Sequence, residues 1–513
     1  MLVPFKDFCG GAAPDVIKGV NSQQCINLYP ALTTGGKSGV VLRKCAGQEA
    51  VQSDQGIVQC DNGIYTTSWG DMYYMYSTTL LKRNYKNGGS KAITFFSTSL
   101  DYDIRNSAFS DNGTVLFMVA TYSLYNASYN YYFVVNKSTD VVTTFTDASL
   151  IGSTHVAYLD GYFIVNDINT NVFRVSPADW NGTDAWVALA NETDDQSPDP
   201  IQGLIVVGRD LWVFGTTGFS IYYNAGTTPM PFARNQSVSN SIGLQAPFSL
   251  ASINNRAFWL GAGRDGNKKI FMSEGFNAIP ISTPELDLAI GGYASTQDSI
   301  GHTWQESGHQ FYSITFKTAN ITWVYDVSIG LWHQRSSKLS AAVVNYGTGA
   351  IAGYHPILSN GTYGRWNMNG IAEFNGDIYI KSVFTGDVKK LKTDVYTDDA
   401  LPIIWRRTAP FISASLKRMF INYLQIDMDT GTGLLPATVQ GYDPIIFLRY
   451  SDDGGKTWSQ PKQGNIGKIG VYTTRVKWNR LGSSKNRLFE ISGSDPVSTT
   501  IYQAFLDMEV ENG

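Results

Sequence analysis

A repeating hairpin unit is the feature that most limits what this chain can fold into. Each unit has a turn residue, a strand rich in aromatic or branched side chains, a short polar turn and a second strand. Seven such units begin at the following residues: Asn62, Asn112, Asp160, Gly208, Asn255, Gly308 and Asn375. The first six units recur about every 50 residues, and the last follows after a wider gap.

A period of roughly 40 to 50 residues built from short strands is typical of a β-propeller, in which each unit forms one four-stranded blade. A single blade does not bury both of its faces, so neighbouring blades stack around a central channel. Alternating aromatic residues such as Trp212 and Phe214 are expected to lie between blades. We therefore predict an all-β fold with a propeller of six or seven blades over residues 61–396. An array of β-sandwiches is the alternative.

The strand pattern changes after residue 396. Longer strand candidates separated by Gly and Asp turns follow, and they predict a C-terminal β-sandwich-like domain over residues 397–513. These candidates begin at Ile403, Lys417, Pro444, Val471 and Asn486. Residues 1–60 contain no repeat unit, and we expect them to form an N-terminal arm that packs on the propeller or on the C-terminal block.

The charge content excludes several classes of protein. Only 16% of the 513 residues are charged while 13% are aromatic, which is the opposite of the composition of disordered chains. The 39 Lys and Arg residues and 43 Asp and Glu residues give a net charge of −4. A nucleic-acid binder needs a clustered positive excess. Any contact with DNA is therefore expected to be non-adhesive.

The N-terminal sequence lacks the features of a secretory signal. It has no basic segment followed by an apolar stretch, and no part of the chain approaches the ~20 apolar residues of a membrane-spanning helix. We predict a protein without a membrane segment that is made and kept in a cytosol, or released without secretion.

All four cysteines lie near the N-terminus, at Cys9, Cys25, Cys45 and Cys60. A zinc site would normally contain two cysteines two to four residues apart, and these cysteines are spaced much more widely. Free structural thiols are the favoured interpretation, and a disulfide in the N-terminal segment is the alternative.

The most specific short motif is an Asp box, with the pattern Ser-x-Asp-x-Gly-x-Thr-Trp. It is formed by Ser451, Asp453, Gly455, Thr457 and Trp458. In such a hairpin turn the aspartate caps backbone amides, the glycine takes a positive φ and the tryptophan anchors the next strand in the core. Sialidases carry several such boxes, so a glycan-binding or glycan-cleaving protein is an alternative. We predict a structural turn.

No residue pattern predicts catalysis, a cofactor or a bound metal. The histidines show neither a metalloprotease helix motif nor a nearby carboxylate cluster, and there is no nucleophile elbow or phosphate-binding loop. We interpret the five histidines as polar surface or interface residues: His155, His302, His309, His333 and His355. Adjacent acids are interpreted as solvated turn residues: Asp194–Asp195, Asp398–Asp399 and Asp452–Asp453.

Seven longer strings, in the same order along the chain, resemble the tail nozzle proteins of short-tailed phages, often labelled packaged DNA stabilisation proteins. The strings are QQCINLYP from Gln23, YSTTLLKR from Tyr76, LWVFGTTGFSIYYNAG from Leu211, APFSLASINNRAFWLG from Ala246, TWVYDVSIGLWHQRSS from Thr322, LRYSDDGGKTWS from Leu448 and KIGVYTTRVKWNRLGSSKNRLFEI from Lys468. The resemblance spans residues 23–491, nearly the whole chain.

The resemblance implies a virion component without catalysis. In that family a hexameric ring attaches beneath the portal and adaptor, surrounds the exit channel, retains the packaged double-stranded DNA and connects to fibres or other tail proteins. Synthesis in the host bacterial cytoplasm and assembly into the virion tail are then expected. A generic propeller scaffold that stays monomeric is a further alternative.

Overall fold

Strands dominate the structure, which is a computed structural model. It describes residues 2–15, 21–34, 37–52, 61–75, 80–94, 103–124, 127–195, 199–238, 240–263, 266–338, 363–383, 387–398, 400–415 and 417–511. Within these ranges the helical elements are the α-helix Pro284–Gly291 and the 3-10 helix Pro247–Ser249.

Seven antiparallel sheets follow one another along the chain and form the blades of a propeller. Blade one contains Ile64–Thr66, Met72–Met75, Leu80–Asn84 and Ser90–Thr94; blade two contains Asp103–Asp111, Val115–Leu124, Ala127–Asn136 and Val142–Phe145. Blade three contains Val156–Leu159, Tyr162–Asn166, Val172–Val175 and Asn191–Thr193; blade four contains Gly203–Val207, Asp210–Phe214, Phe219–Asn224 and Phe232–Arg234. Blade five contains Gly243–Leu244, Ala251–Ile253, Arg256–Ala262, Lys268–Glu274 and Asn277–Pro280. Blade six contains Ile300–Glu306, His309–Phe316, Ile321–Asp326 and Leu331–Lys338; blade seven contains Gly370–Phe374, Asp377–Lys381, Val388–Lys392 and Gly47–Gln52.

The first strands of the blades contact one another in sequence order and close into a ring. Between blades one and two, the backbone N–H of Ser107 donates to the carbonyl oxygen of Asp61 at 3.1 Å. Between blades seven and one, the N–H of Asn62 donates to the carbonyl oxygen of Asn369 at 2.7 Å. The ring order and the sheets confirm the all-β propeller and fix the number of blades in the described chain at seven.

The fourth strand of blade seven comes from the N-terminal segment. Gly47–Gln52 pairs antiparallel with Val388–Lys392, so the two ends of the propeller segment meet in one sheet. Because a sheet that joins both ends of the ring removes an open edge, this strand closes the propeller.

The repeat found in the sequence marks the first hairpin in blades two to seven. Its turn residues take positive φ, for example 48° at Asp160, 66° at Gly208 and 52° at Asn375. Asn, Asp and Gly tolerate this left-handed conformation at least cost. In blade one the unit starting at Asn62 instead precedes the first strand, and the hairpin turn is centred on Gly70.

Aromatic side chains fill the spaces between blades. Phe117 of blade two lies edge-on to Phe163 of blade three, with ring centroids 5.5 Å apart, and Trp180 packs against both. All three are at most 1% exposed. The interior therefore consists of successive layers of apolar contact between blades, as the alternating aromatic pattern predicts.

The C-terminal part forms two packed sheets, as expected for a β-sandwich. One sheet orders Leu28–Leu32, Val40–Lys44, Thr500–Val510, Met419–Met428 and Val476–Ser484, with Leu2–Pro4 on Thr500–Val510. The other contains Trp405–Thr408, Asn486–Gly493, Ile445–Ser451 and Lys462–Asn465, with Ile412–Ser413 on Asn486–Gly493. Four short strands complete the list: Ala13–Pro14 on Ser22–Ile26, Tyr363–Arg365 on Leu331–Lys338, and Thr397–Asp398 with Leu401–Pro402 beside Gly47–Gln52.

The N-terminal segment joins the propeller to the sandwich. Ser22–Ile26 lies between Leu331–Lys338 of blade six and Trp405–Thr408 of the sandwich, so one hydrogen-bonded sheet runs through both parts. Other strands of residues 1–60 belong to the sandwich and to blade seven. The predicted arm therefore supplies strands to both units as well as packing on them, while the division at residues 60 and 396 stays a prediction.

Candidate functional site

The Asp-box turn follows strand Ile445–Ser451 and is held by its own side chains. The carboxylate of Asp453 accepts hydrogen bonds from the hydroxyls of Ser451 and Thr457, at 2.7 and 2.6 Å, and from the backbone N–H groups of Lys456 and Thr457. These donors hold the pKa of the Asp453 carboxyl well below its usual range. The N–H of Gly455, whose φ is 86°, donates to the Ser451 hydroxyl at 2.8 Å.

The last residue of the motif is placed differently from its predicted role. Trp458 is half-buried at the sandwich surface, with the guanidinium of Arg449 stacked 4.6 Å from its ring centroid. The expectation that Trp458 anchors the next strand in the core is therefore wrong. Its ring packs instead beside Arg449, on the strand Ile445–Ser451 that precedes the turn.

A buried arginine also holds the same turn in place. Arg487 donates through Nε and Nη2 to the two carboxylate oxygens of Asp452, at 2.6 and 2.7 Å. The hydroxyl of Ser22 donates to the carbonyl oxygen of Gly454 at 3.4 Å. The Asp box is thus a rigid turn where the N-terminal segment meets the sandwich, and its polar groups are occupied by one another.

Sequence reasoning missed a buried arginine that forms several hydrogen bonds with the N-terminal segment. Arg407, fully buried in the sandwich, donates to the carbonyl oxygens of Phe8 at 2.7 Å and Gly11 at 2.8 Å, and to the side-chain oxygen of Gln23 at 3.0 Å. Burial lowers the pKa of its guanidinium from the usual value. The sequence feature that could have identified Arg407 is a charged residue at an inward-facing position of the strand Trp405–Thr408.

A second missed residue lies where the three parts meet. The side-chain N–H of Asn27 donates to the carbonyl oxygens of Ser336, in blade six, and Ile404, next to the sandwich, at 2.9 and 2.8 Å. Its side-chain oxygen accepts from the N–H of Ser336 at 2.9 Å. Asn27 takes a φ of 54°, which asparagine tolerates better than most residues. The sequence feature that could have identified Asn27 is its position within the string QQCINLYP.

His302 and His333 are buried, so the surface or interface interpretation is wrong for these two, whereas His155 and His309 are half-buried. Burial lowers the pKa of His155 and His302 to about 4, and burial together with the charge of Arg335 lowers the pKa of His333 to about 3. His309 bonds the carboxylate of Asp326 at 2.6 Å. The aromatic-rich blades leave little solvent around imidazole rings that lie inside or between sheets. His355 lies outside the described residues.

The cysteines present in the described residues are free thiols. Burial raises the pKa of Cys9 to about 11 and those of Cys25 and Cys45 to about 12. A thiol with a raised pKa is a poor nucleophile at neutral pH. Cys60 lies outside the described residues.

The paired acids divide between buried and exposed positions. Asp194 and Asp398 are buried and accept hydrogen bonds from the hydroxyls of Ser220 and Ser337, at 2.8 and 2.7 Å. The solvated-turn interpretation is therefore wrong for these two, because the sheets place them inside. Asp195, Asp452 and Asp453 are exposed. Asp399 lies outside the described residues.

Neither a metal site nor a membrane-spanning helix is present in the part of the chain that the structure describes. No three His, Cys, Asp or Glu residues there are grouped closely enough to hold a metal ion. None of the helices there has the length and apolar character needed to cross a bilayer.

Two solved propellers and a secretion component illustrate the structural neighbours. The WD40 propeller domain of Doa1 is 9% identical, with a TM-score of 0.37 over 68% of this chain and 97% of its own. YCF48 from Cyanidioschyzon merolae is 11% identical, with a TM-score of 0.39 over 68% and 99%. PorZ of the Porphyromonas gingivalis type-IX secretion system is 12% identical, with a TM-score of 0.36 over 87% and 59%. No protein with a curated description matched the sequence.

Family models, in contrast, match both parts of the chain. The model described as bacteriophage P22 Gp10, beta-propeller, matches residues 18–357, and the model described as bacteriophage P22 Gp10, beta-sandwich, matches residues 404–509. The first match contains blades one to six, and the second contains the sandwich strands from Trp405 onward almost completely. The strands of blade seven between Gly370 and Lys392 lie between the two matches. The chain therefore belongs to the bacteriophage P22 Gp10 family of short-tailed phage tail proteins.

Proposed function

We propose that this tail protein forms the nozzle of a short-tailed phage. Copies of the chain would form a ring, a hexamer by family resemblance, beneath the portal and adaptor. The ring would retain the packaged double-stranded DNA, serve as its exit conduit and connect to fibres or other tail proteins. The proposal includes three domains, with residues 61–396 and 397–513 joined by the arm 1–60. It gives the protein a structural role, without catalysis or a cofactor.

The observation that carries this proposal is the continuous sheet between propeller and sandwich. Residues Ser22–Ile26 are hydrogen-bonded on one edge to blade six and on the other to the sandwich. Arg407 and Asn27 add bonds between the same three parts. A two-domain body joined by a sheet resists bending better than one joined by a flexible linker. Such rigidity suits a subunit that holds packaged DNA in place.

The charge of the chain also supports a conduit. DNA binds basic surfaces through its phosphates, with an affinity that grows with the number of contacts. With 43 acidic and 39 basic residues, the chain offers no overall attraction to a passing duplex. We propose that acidic side chains of the propeller outnumber basic ones along the DNA path.

Assembly with the cognate portal and adaptor tests the function. Electron microscopy of the mixed proteins is expected to show a ring of this chain on the adaptor, and phage lacking the protein is expected to package DNA and then lose it. A persistent monomer that never joins the portal and adaptor, together with full DNA retention in its absence, would overturn the proposal.

The glycan alternative is tested separately. The Asp-box polar groups are engaged within the turn, so we expect the protein to leave host surface polysaccharide intact and unbound. Release of oligosaccharide fragments, measured by chromatography, would contradict the structural role.

A further inference from the structure

Two loops of the sandwich carry exposed apolar side chains next to basic side chains, and we name this surface the basic tip. It consists of Leu435, Ile469, Val471, Tyr472, Lys468 and Arg475. Tyr472 is 72% and Leu435 64% exposed. Large apolar side chains grouped on a surface mark sites of interaction.

Two loops build the basic tip, and hydrogen bonds hold them together. The hydroxyl of Thr430 donates to the carbonyl oxygen of Tyr472 at 2.8 Å, and the N–H of Gly431 donates to the carbonyl oxygen of Ile466 at 3.2 Å. The N–H of Leu434 donates to the carbonyl oxygen of Gly441 at 2.8 Å and closes the loop that carries Leu435. The apolar side chains are therefore presented on a defined surface.

A second exposed apolar surface is formed by loops next to the last strands of blades two and three, and we name it the acidic rim. It consists of Ile151, Val187, Leu189, Asp184 and Asp195. Leu189 is 74% exposed. The two loops that form it are joined by Asp147, whose carboxylate accepts from the N–H of Trp186 at 2.8 Å and from the hydroxyl of Ser149 at 2.6 Å.

The stretches of chain that contain the two surfaces have opposite net charge, and within the tip Lys468 lies 3.9 Å from the carboxylate of Asp443. Between Arg174 and Arg209 the sequence has six acidic residues and no basic one, whereas between Asp453 and Glu490 it has eight basic residues and no acidic one. A cavity of about 340 Å³ next to Asp195 is lined by the acids Glu192 and Asp195 and by the base Arg234. Burial raises the pKa of Glu192, and the charge of Asp195 adds to this shift while the charge of Arg234 opposes it.

The positions of the surfaces suit a ring. The sandwich continues the sheet of blade six, and on a ring of seven blades the third blade lies across from the sixth and seventh. A closed ring of identical subunits requires two different surfaces on opposite sides of each subunit.

We propose that the basic tip of one copy docks on the acidic rim of the next copy in the ring. This inference rests on the proposed nozzle function and names the surfaces that build it. It also accounts for the basic stretch within a conduit for DNA, because docking on an acidic surface covers charges that would otherwise hold phosphates.

Charge exchange between the two surfaces tests the proposal. Tyr472→Asp places an acid opposite the acidic rim, and Leu189→Lys places a base opposite the basic tip. Each variant alone is expected to weaken ring assembly at least about tenfold, measured by analytical ultracentrifugation with the portal and adaptor. An equimolar mixture of the two, or the double variant, is expected to recover assembly because the exchanged charges attract.

Controls separate the possible outcomes. Leu288→Asp and Leu288→Lys change an equally accessible leucine, 58% exposed on the helix Pro284–Gly291, and are expected to assemble like the unchanged protein. Circular dichroism checks that all variants fold. Normal rings from both single variants, or a tip variant that loses only another tail protein or DNA, would overturn this inference and leave the nozzle proposal standing. Failure of the unchanged protein to form rings would instead contradict the nozzle itself.

Discussion

The guanidinium Nε of Arg407 donates to the carbonyl oxygen of Phe8 at 2.7 Å, across 399 positions of the sequence. Arg407 lies in a sandwich strand next to Ser22–Ile26, the strand that joins the sandwich to blade six. A buried arginine with several carbonyl acceptors holds its charge by hydrogen bonds rather than by a paired carboxylate. This side chain thus helps to fasten the start of the chain to the sandwich, together with the pairing of Leu2–Pro4 on Thr500–Val510.

Arg407→Met is expected to release the N-terminal segment. The substitution keeps most of the side-chain volume but leaves buried carbonyl oxygens without donors, which costs on the order of 3 kcal/mol in the free energy of unfolding. Hydrogen exchange should rise at residues 5–15. Arg209→Met, at an 85% exposed side chain, is the control and should change neither quantity. Unchanged exchange at residues 5–15 in the Arg407 variant would contradict this assignment.

Breaking the strand that closes the propeller is expected to loosen blade seven. The double substitution Glu49→Pro and Ala50→Pro removes backbone donors from Gly47–Gln52, which pairs with Val388–Lys392. Faster hydrogen exchange is expected at residues 377–392, together with a lower melting temperature. Val51→Pro, at the bulge between the paired residues Ala50 and Gln52, is the matched control and should have a smaller effect.

Asp453→Ala is expected to lower the denaturant concentration at which the sandwich unfolds, because four donors of the Asp-box turn lose their acceptor. The pKa of the Asp453 carboxyl is depressed in the folded state. Its contribution to the free energy of unfolding is therefore fully present above the unfolded pKa of about 3.9 and is lost as the pH falls below that value. The comparison is Asp394→Ala, at an exposed carboxylate. Equal unfolding midpoints for the two variants would argue against the turn's structural role.

Histidines whose pKa is lowered in the folded protein are expected to make it less stable in mild acid. His155, His302 and His333 have folded pKa values near 4, 4 and 3, below the unfolded value near 6.5. Their contribution to the free energy of unfolding is complete above pH 6.5. It falls by about 1.4 kcal/mol per pH unit for each group as the pH drops toward 4, because only the unfolded chain then takes up protons.

Guanidinium unfolding of the unchanged protein and of His302→Gln at pH 7.5 and pH 5 measures this effect. The unchanged protein should lose more stability than the variant between the two pH values, because the variant has one titrating group fewer. An equal loss in both proteins would mean that His302 does not titrate as its burial implies.

Several features of this protein follow from the sequence alone. The turn residues at Asp160, Gly208 and Asn375 predicted the hairpins of the blades because Asn, Asp and Gly are the residues that tolerate a left-handed turn. The same local chemistry predicted the Asp-box turn and a β-sandwich after the propeller. Strands and turns of this kind depend on neighbours within a few residues, so a linear pattern records them.

The contacts that close and join the domains were decided by the tertiary structure. Nothing in the strand Gly47–Gln52 indicates that its partner is Val388–Lys392, and nothing in the segment around Trp405 indicates that Arg407 reaches Phe8. Pairing over such separations depends on which edges and cavities remain once the blades have stacked. Only the folded ring therefore determines that the N-terminal segment closes blade seven and joins the propeller to the sandwich.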